Sequence, residues 1–252
     1  DGVQTGDIHI RDTAGRDIVN ITLQLPPPPP PPINTLHQLR APVADFVGRE
    51  QQITDLTAAL TSGVAATISG VAGMGGIGKT ELAKKVANDL RERYPDAQIV
   101  LNLQGSRDPA LPATEALQRV IRAFVPEAQL FDDEPRLVAA YRSLLTGKRV
   151  LILADDAKDA AQVKPLLPPA GSALLVTSRN RFALPGMQRI DLERLAEAEA
   201  IALLRNICDR LSADNAQQIA AACGRLPLAL RIAGGVLAND DTLSVARYLA
   251  RL

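Results

Sequence analysis

SGVAGMGGIGKTELAKKV, residues 69–86, places Gly73, Gly75, Gly76 and Gly78 between an apolar run and a helical pattern. Gly73 to Thr80 fits G-x-x-x-x-G-K-[ST] in full. The run before it, VAATISG (64–70), predicts a short strand. The residues after it predict a helix over 79–93, with Leu82, Val86 and Leu90 on one face. A strand, a glycine loop and a helix in that order form a phosphate cradle. Glycine lets the backbone wrap with its N–H groups pointing inward, and the helix N-terminus adds unpaired N–H donors and partial positive charge. The expected phosphate contacts are Gly73, Gly75, Gly76, Ile77, Gly78, Lys79, Thr80 and Glu81. Lys79 is expected to reach the β- and γ-phosphates and the Thr80 hydroxyl to ligate Mg²⁺.

A magnesium site needs a carboxylate. Asp155 and Asp156 follow the apolar run Val150 to Ala154, at the C-terminal end of a strand that reads as buried on both faces. Open α/β sheets bind ligands at that end. Asp155 is expected to hold Mg²⁺, through water or directly, and Asp156 to orient or deprotonate an attacking water. LLVTSRN (174–180) puts Thr177, Ser178 and Arg179 at the end of the next strand, where Arg179 can sense a γ-phosphate; a surface arginine is the plainer alternative. The expected catalytic group is therefore Lys79, Asp155, Asp156 and Arg179, with Thr80 and Asp155 as metal ligands.

Around these motifs strand and helix patterns alternate. AQIVLNL (97–103), RVLILAD (149–155), SALLVTS (172–178) and QRIDL (188–192) read as strands, and 113–125 and 134–146 as helices. Such alternation implies a parallel sheet covered by helices. After residue 193 strand patterns stop, and four helical stretches predict a small all-α subdomain over 193–252. Ahead of the α/β region, 34–192, lie two short alternating stretches, Ile8 to Ile10 and Ile18 to Leu23, separated by Ala14 to Asp17. They read as a short β segment, 1–25, which has to pack on something because a lone hairpin is marginal. Between these parts, 26–33 is a proline-rich linker. Its seven prolines, Pro26 to Pro32, form a polyproline II spacer about 20 Å long; an SH3- or WW-type ligand is the alternative.

Composition narrows the function. The 252 residues carry 28 basic and 28 acidic side chains, and aromatics make up 3% with no Trp. Neither a nucleic-acid footprint nor an anionic-membrane one is expected. Cys208 and Cys223 lack a CxxC spacing and read as small hydrophobes in a reducing compartment, and His9 and His37 as surface or loop residues. No apolar run reaches membrane-spanning length and no signal peptide opens the chain, so a cytoplasmic protein is expected. The opening Asp and the abrupt end at Leu252 suggest an excised piece.

In order along the chain, FVGRE (46–50), GMGGIGKT (73–80), LILADD (151–156), LVTSR (175–179) and CGRLPLAL (223–230) resemble the NB-ARC domain of the STAND class of P-loop ATPases. That class includes plant disease-resistance proteins, animal apoptosis adaptors and bacterial regulators, and the bacterial type matches best. The resemblance implies a Walker A and a Walker B motif. It places Val47 and Arg49 beside the adenine, makes Arg179 a sensor 1 arginine, and packs Pro227 on the base with Leu228 supporting that wall. Two departures stand out. Arg225 occupies the position of the family's glycine before Leu-Pro-Leu, although Gly224 precedes it. The family also continues into a winged-helix subdomain whose MHD histidine contacts ADP, and both histidines here lie before residue 38.

The expected protein is an ADP/ATP-binding signalling switch with weak Mg²⁺-dependent hydrolysis, controlling self-association or effector activation in a larger regulator. Its expected partners are an adenine nucleotide, further copies of itself in the ATP state, and sensor and effector domains outside this chain. The alternative is a turnover ATPase, AAA-like or another P-loop enzyme, whose output is hydrolysis itself. No N-K-x-D or T-K-x-D guanine-reading motif and no LSGGQ-like signature is present, and no arginine finger is assigned.

Overall fold

The computed structural model describes residues 6–8, 21–23, 36–62, 66–70, 75–240 and 242–250; for 6–8, 21–23 and 66–70 only the backbone is considered. The chain falls into two units, 1–34 and 35–252. In the first, β1 (Gly6–Ile8) pairs antiparallel with β2 (Ile21–Leu23), Gly6 opposite Leu23 and Ile8 opposite Ile21. His9, Ile10, the intervening turn and the proline run lie outside the described residues.

In the second unit β3 (Ala66–Gly70), β4 (Ala97–Asn102), β5 (Val150–Ala157), β6 (Ala173–Ser178) and β7 (Gln188–Leu192) form one sheet in the order β4-β5-β6-β3-β7. Every neighbouring pair is parallel. Helices α1 (Glu50–Thr61), α2 (Lys79–Asp89), α3 (Ala113–Phe124), α4 (Glu134–Leu145) and the short α5 (Ala160–Val163) accompany it. The α/β architecture expected from the alternating pattern is present, and the period-2 geometry of a strand explains how the sheet is covered. On β5, Val150, Ile152 and Ala154 face the cluster built with Leu117, Val120, Leu137 and Tyr141 of α3 and α4. Leu151 and Leu153 face the cluster built with Leu56 and Leu60 of α1 and Leu82 and Val86 of α2. On β6, Leu174 and Val176 divide from Ala173 and Leu175 in the same way. Each fully buried leucine contributes about 1.5–3 kcal/mol.

Two elements depart from their expected bounds, and the second bears on the site. α2 ends at Asp89, and residues 91–93 tighten into a 3-10 turn. That turn brings Tyr94 inward, where its hydroxyl donates to the Leu60 carbonyl at 2.6 Å. β5 runs two residues past Asp155, with a register shift between Ala154 and Ala157 and Asp156 at φ 56°. A bulge of this kind re-aims side chains.

Helices α6 (Glu197–Ile207), α7 (Ala213–Ala222), α8 (Pro227–Asn239) and α9 (Val245–Leu249) follow. Leu203, Leu204, Ile219, Leu230 and Leu237 are central to their own buried cluster. Cys208 is buried and Cys223 half-buried, and both are free thiols. None of the described helices is long and apolar enough to cross a membrane.

Candidate functional site

A cavity of about 540 Å³ opens where the C-terminal ends of β5 and β6 meet the N-terminus of α2. This size suits a small ligand. Because β6 lies between β3 and β5, the strand carrying Thr177 and Arg179 is interposed between the glycine loop and the two aspartates.

On the glycine-loop side, Gly76 and Gly78 have φ of 79° and 94°, and Gly78 precedes α2 in the left-handed conformation. The buried Ile77 side chain anchors the loop in the core beneath. Gly75, Lys79, Thr80 and Glu81 line the cavity, and Glu81 also pairs with Lys84 at 2.8 Å. Burial, and next the nearby Arg179, hold the Lys79 ammonium below its ordinary pKa, while Asp156 and Asp155 pull it back up. Gly73 lies outside the described residues.

The carboxylates sit in a tight oxygen network. Asp155 Oδ1 accepts from the Thr80 hydroxyl at 2.7 Å and from the Thr177 hydroxyl at 2.6 Å. Thr177 Oγ1 in turn accepts the Asp156 N–H at 2.9 Å, which fixes the rotor of that hydroxyl. Asp156 Oδ2 accepts from Ser106 twice, from its N–H at 3.0 Å and its hydroxyl at 2.6 Å. Arg179 Nε lies 3.6 Å from Asp156 Oδ1. The bulge explains how two consecutive aspartates reach one cavity, since neighbours on a regular strand point to opposite faces.

The Ser106 loop is itself held from beneath. Gly105 donates to the Asp156 carbonyl at 2.6 Å, and Gln162 Nε2 donates to the carbonyls of Leu103 and Leu111 at 2.9 and 2.7 Å. A Cβ on Gly105 would lie 2.3 Å from the Lys158 nitrogen, so only glycine allows this approach.

The opposite wall comes from residues 43–49 and the helical cluster. The chain runs along the edge of β4, where Gln38 N–H donates to the Gln98 carbonyl at 2.9 Å, and then brings Val43, Asp45, Phe46 and Val47 to the cavity. Arg49 has φ 69° and is nearly buried; its guanidinium donates to the Glu193 carbonyl at 2.5 Å. Burial lowers its pKa, with Glu199 and Glu193 opposing. Pro227 and Leu228 open α8 directly over the glycine loop, and the Leu228 N–H donates to the Gly76 carbonyl at 3.2 Å. Arg225 adopts φ 55°, a left-handed conformation that accounts for a glycine at this position in the family pattern.

Every sequence-nominated site residue among the described ones lines this cavity. Several lining residues were not nominated. Arg231 sits four residues after Pro227, hence on the same helical face, and pairs with Asp45 at 2.7 Å. That spacing was available as a signal. Ser106, Asn102, Gln104 and Arg107 carried none.

The donors at Thr80 and Asp155 are all oxygen, and no group of three or more His, Cys, Asp or Glu that could hold a metal occurs among the described residues. Such a set fits Mg²⁺, which keeps several waters and takes one or two protein oxygens together with phosphate.

Comparison with known proteins agrees with this architecture. The NB-ARC domain model matches residues 49–214. Regulatory protein AfsR of Streptomyces griseus is 42% identical over 224 residues, covering 85% of this chain and 23% of AfsR. Disease resistance RPP8-like protein 3 of Arabidopsis thaliana is 28% identical, covering 80% of this chain and 24% of its own. The chain thus spans under a quarter of the length of these relatives. Among solved structures, a STAND protein with a tetratricopeptide repeat sensor from Pyrococcus horikoshii has a TM-score of 0.51 at 16% identity, covering 84% of this chain and 33% of that one. The ORC2 protein of Aeropyrum pernix, solved in ADPNP-ADP complexes, reaches 0.57 at 17% identity, covering 84% and 69%. These structures share the P-loop ATPase fold, and by the family model the chain belongs to the NB-ARC family, of the STAND class.

Proposed function

We propose that the cavity takes an adenine nucleotide with Mg²⁺, and that this chain is the nucleotide-responsive module of a larger regulator, with ADP favouring a closed state and ATP an open, self-associating or effector-activating one. The observation that carries the reading is the Thr80–Asp155 contact at 2.7 Å beneath the N-terminus of α2, facing Val47, Pro227 and Leu228 across one cavity. One wall is suited to phosphate and the other to a base, and the two belong to different packed clusters.

In this reading Lys79 and the amides of residues 75–80 hold the phosphates, and Thr80 with Asp155 holds Mg²⁺. The bound ion supplies charge neutralisation on the phosphate oxygens. Asp156 orients a water and is itself held by Ser106, and Arg179, close to Lys79 and Asp156, reports the γ-phosphate. Val47, Arg49, Pro227 and Leu228 frame the base. Hydrolysis is weak and resets the switch. Differential affinity for the two nucleotides between two states, and not tightness alone, drives the change.

Equilibrium binding of Mg·ADP, Mg·ATP and Mg·GTP to the wild type and to Lys79→Ala tests this. The expected result is adenine-selective binding that the variant loses. Equal binding of GTP, or binding unaffected by Lys79→Ala, would overturn it.

A further inference from the structure

Glu199, in the first turn of α6, belongs to none of the motifs named above and does not line the cavity. Its carboxylate nevertheless joins two distant pieces of backbone. Oε1 accepts the Arg49 N–H at 3.1 Å, across 150 residues of sequence, and Oε2 accepts the Ala196 N–H at 2.7 Å. A Cβ on Gly48 would lie 2.1 Å from Oε1, so the carboxylate occupies space that only glycine leaves open. Gly48 and Arg49 are consecutive left-handed residues, φ 70° and 69°. They turn the chain so that Val47 packs on the helical cluster while Val43, Asp45, Phe46 and Val47 face the cavity. The bond to Ala196 is half of an ordinary helix capping box. The bond to Arg49 is not explained by capping.

We infer that Glu199 is the positioning residue for the base end of the cavity, holding the Gly48–Arg49 turn, and with it Val47, against α6; this rests on the adenine-nucleotide reading above. A carboxylate that accepts two backbone N–H groups forms charge-assisted bonds, stronger than neutral ones. With the turn released, Val47 and Arg49 no longer stand at a fixed distance from Leu195, Leu203 and Pro227, which complete that wall. The phosphate cradle rests on α2 and is left in place.

The test uses the full chain and calorimetric titration with Mg·ADP and, separately, with Mg·tripolyphosphate, beside ligand-free thermal melting. Glu199→Ala is expected to weaken ADP about ten- to hundredfold, the size of one charge-assisted hydrogen bond, and to change tripolyphosphate by less than about threefold. Glu199→Gln keeps one carbonyl acceptor, which serves the Arg49 N–H when its amide nitrogen turns away. It is expected to hold ADP closer to the wild-type level than Glu199→Ala does. Gly48→Ala is expected to weaken ADP much more in the wild-type background than in Glu199→Ala, because the collision is with Glu199 itself.

Equal loss of ADP and tripolyphosphate in Glu199→Ala would overturn the inference. So would Glu199→Gln matching Glu199→Ala in ADP affinity, or full additivity with Gly48→Ala. If the wild type binds ADP and Glu199→Ala binds it equally well, the inference fails alone. If the wild type binds tripolyphosphate but not ADP, the adenine reading fails with it.

Discussion

Gly76 and Gly75 are neighbours in one motif, and the structure separates them sharply. A Cβ on Gly75 meets nothing within 4 Å, whereas a Cβ on Gly76 would lie 2.9 Å from Leu228 Cβ and 3.2 Å from Leu228 Cδ2. Gly76 also has φ 79°, where an L-residue costs about 1–2 kcal/mol. Overpacking against the leucine adds about 1–3 kcal/mol. The loop can escape by breaking the Leu228 N–H bond to the Gly76 carbonyl, worth about 0.5–1.5 kcal/mol, and that escape caps the packing cost. Gly76→Ala is therefore expected to cost about 1.5–3.5 kcal/mol. That corresponds to roughly 3–14 °C in a ligand-free thermal melt of a chain this size. Gly75→Ala is expected to be neutral or slightly stabilising, through lost freedom of the unfolded chain. Leu228→Gly removes both nearest atoms and, measured in a double-mutant cycle against Leu228→Gly alone, which carries its own helix cost, should recover the packing part of the Gly76→Ala cost while leaving the backbone strain. Equal melting temperatures for the two alanine variants, or no recovery on adding Leu228→Gly, would refute this picture of α8 seated on the loop.

The other predictions concern chemistry and strain. Asp156→Ala should leave Mg·ATP binding within a few-fold of wild type and suppress hydrolysis in a single-turnover phosphate-release assay; parallel loss of both would mean that the acids do not divide their work. Because burial and Arg179 depress the Lys79 pKa, the ammonium loses its proton earlier than a free lysine as pH rises. ADP affinity should accordingly begin to fall on the alkaline side before about pH 10.4, and a flat profile through that range in calorimetry would count against Lys79 as the phosphate cation. Pro227→Ala should weaken ADP more than tripolyphosphate, and equal effects would remove Pro227 from the base wall. Arg225→Gly should raise stability by about 1 kcal/mol in chemical denaturation, by relieving the left-handed strain at φ 55°; a loss would show that the arginine side chain offsets it.

Much of the fold was legible because buried parallel strands read as unbroken apolar runs, as in Val150 to Ala154, and because the glycine loop marks a strand-to-helix junction. The glycine loop, Lys79, Thr80, Asp155, Asp156 and Arg179 were legible for the same reason, each standing at the end of a readable element, whereas Val47, Arg49, Pro227 and Leu228 were legible only through the resemblance to the NB-ARC pattern. What could not be read depends on tertiary geometry. The bulge that re-aims Asp155 and Asp156 shows only in the pairing of β5 with β6. Ser106 meets Asp156 across 50 residues and Glu199 meets Arg49 across 150, and neither distance leaves a local pattern. Arg231 lies between these cases, visible as the residue one helical turn beyond Pro227, although its ion pair with Asp45 is not.

The most direct test of the switch reading is calorimetric titration of nucleotide-stripped protein with Mg·ADP and with Mg·ATP, followed on the same samples by phosphate release. The account predicts ADP binding in the micromolar range or tighter with negligible steady turnover of ATP. Fast sustained turnover, or no binding of either nucleotide, would contradict it.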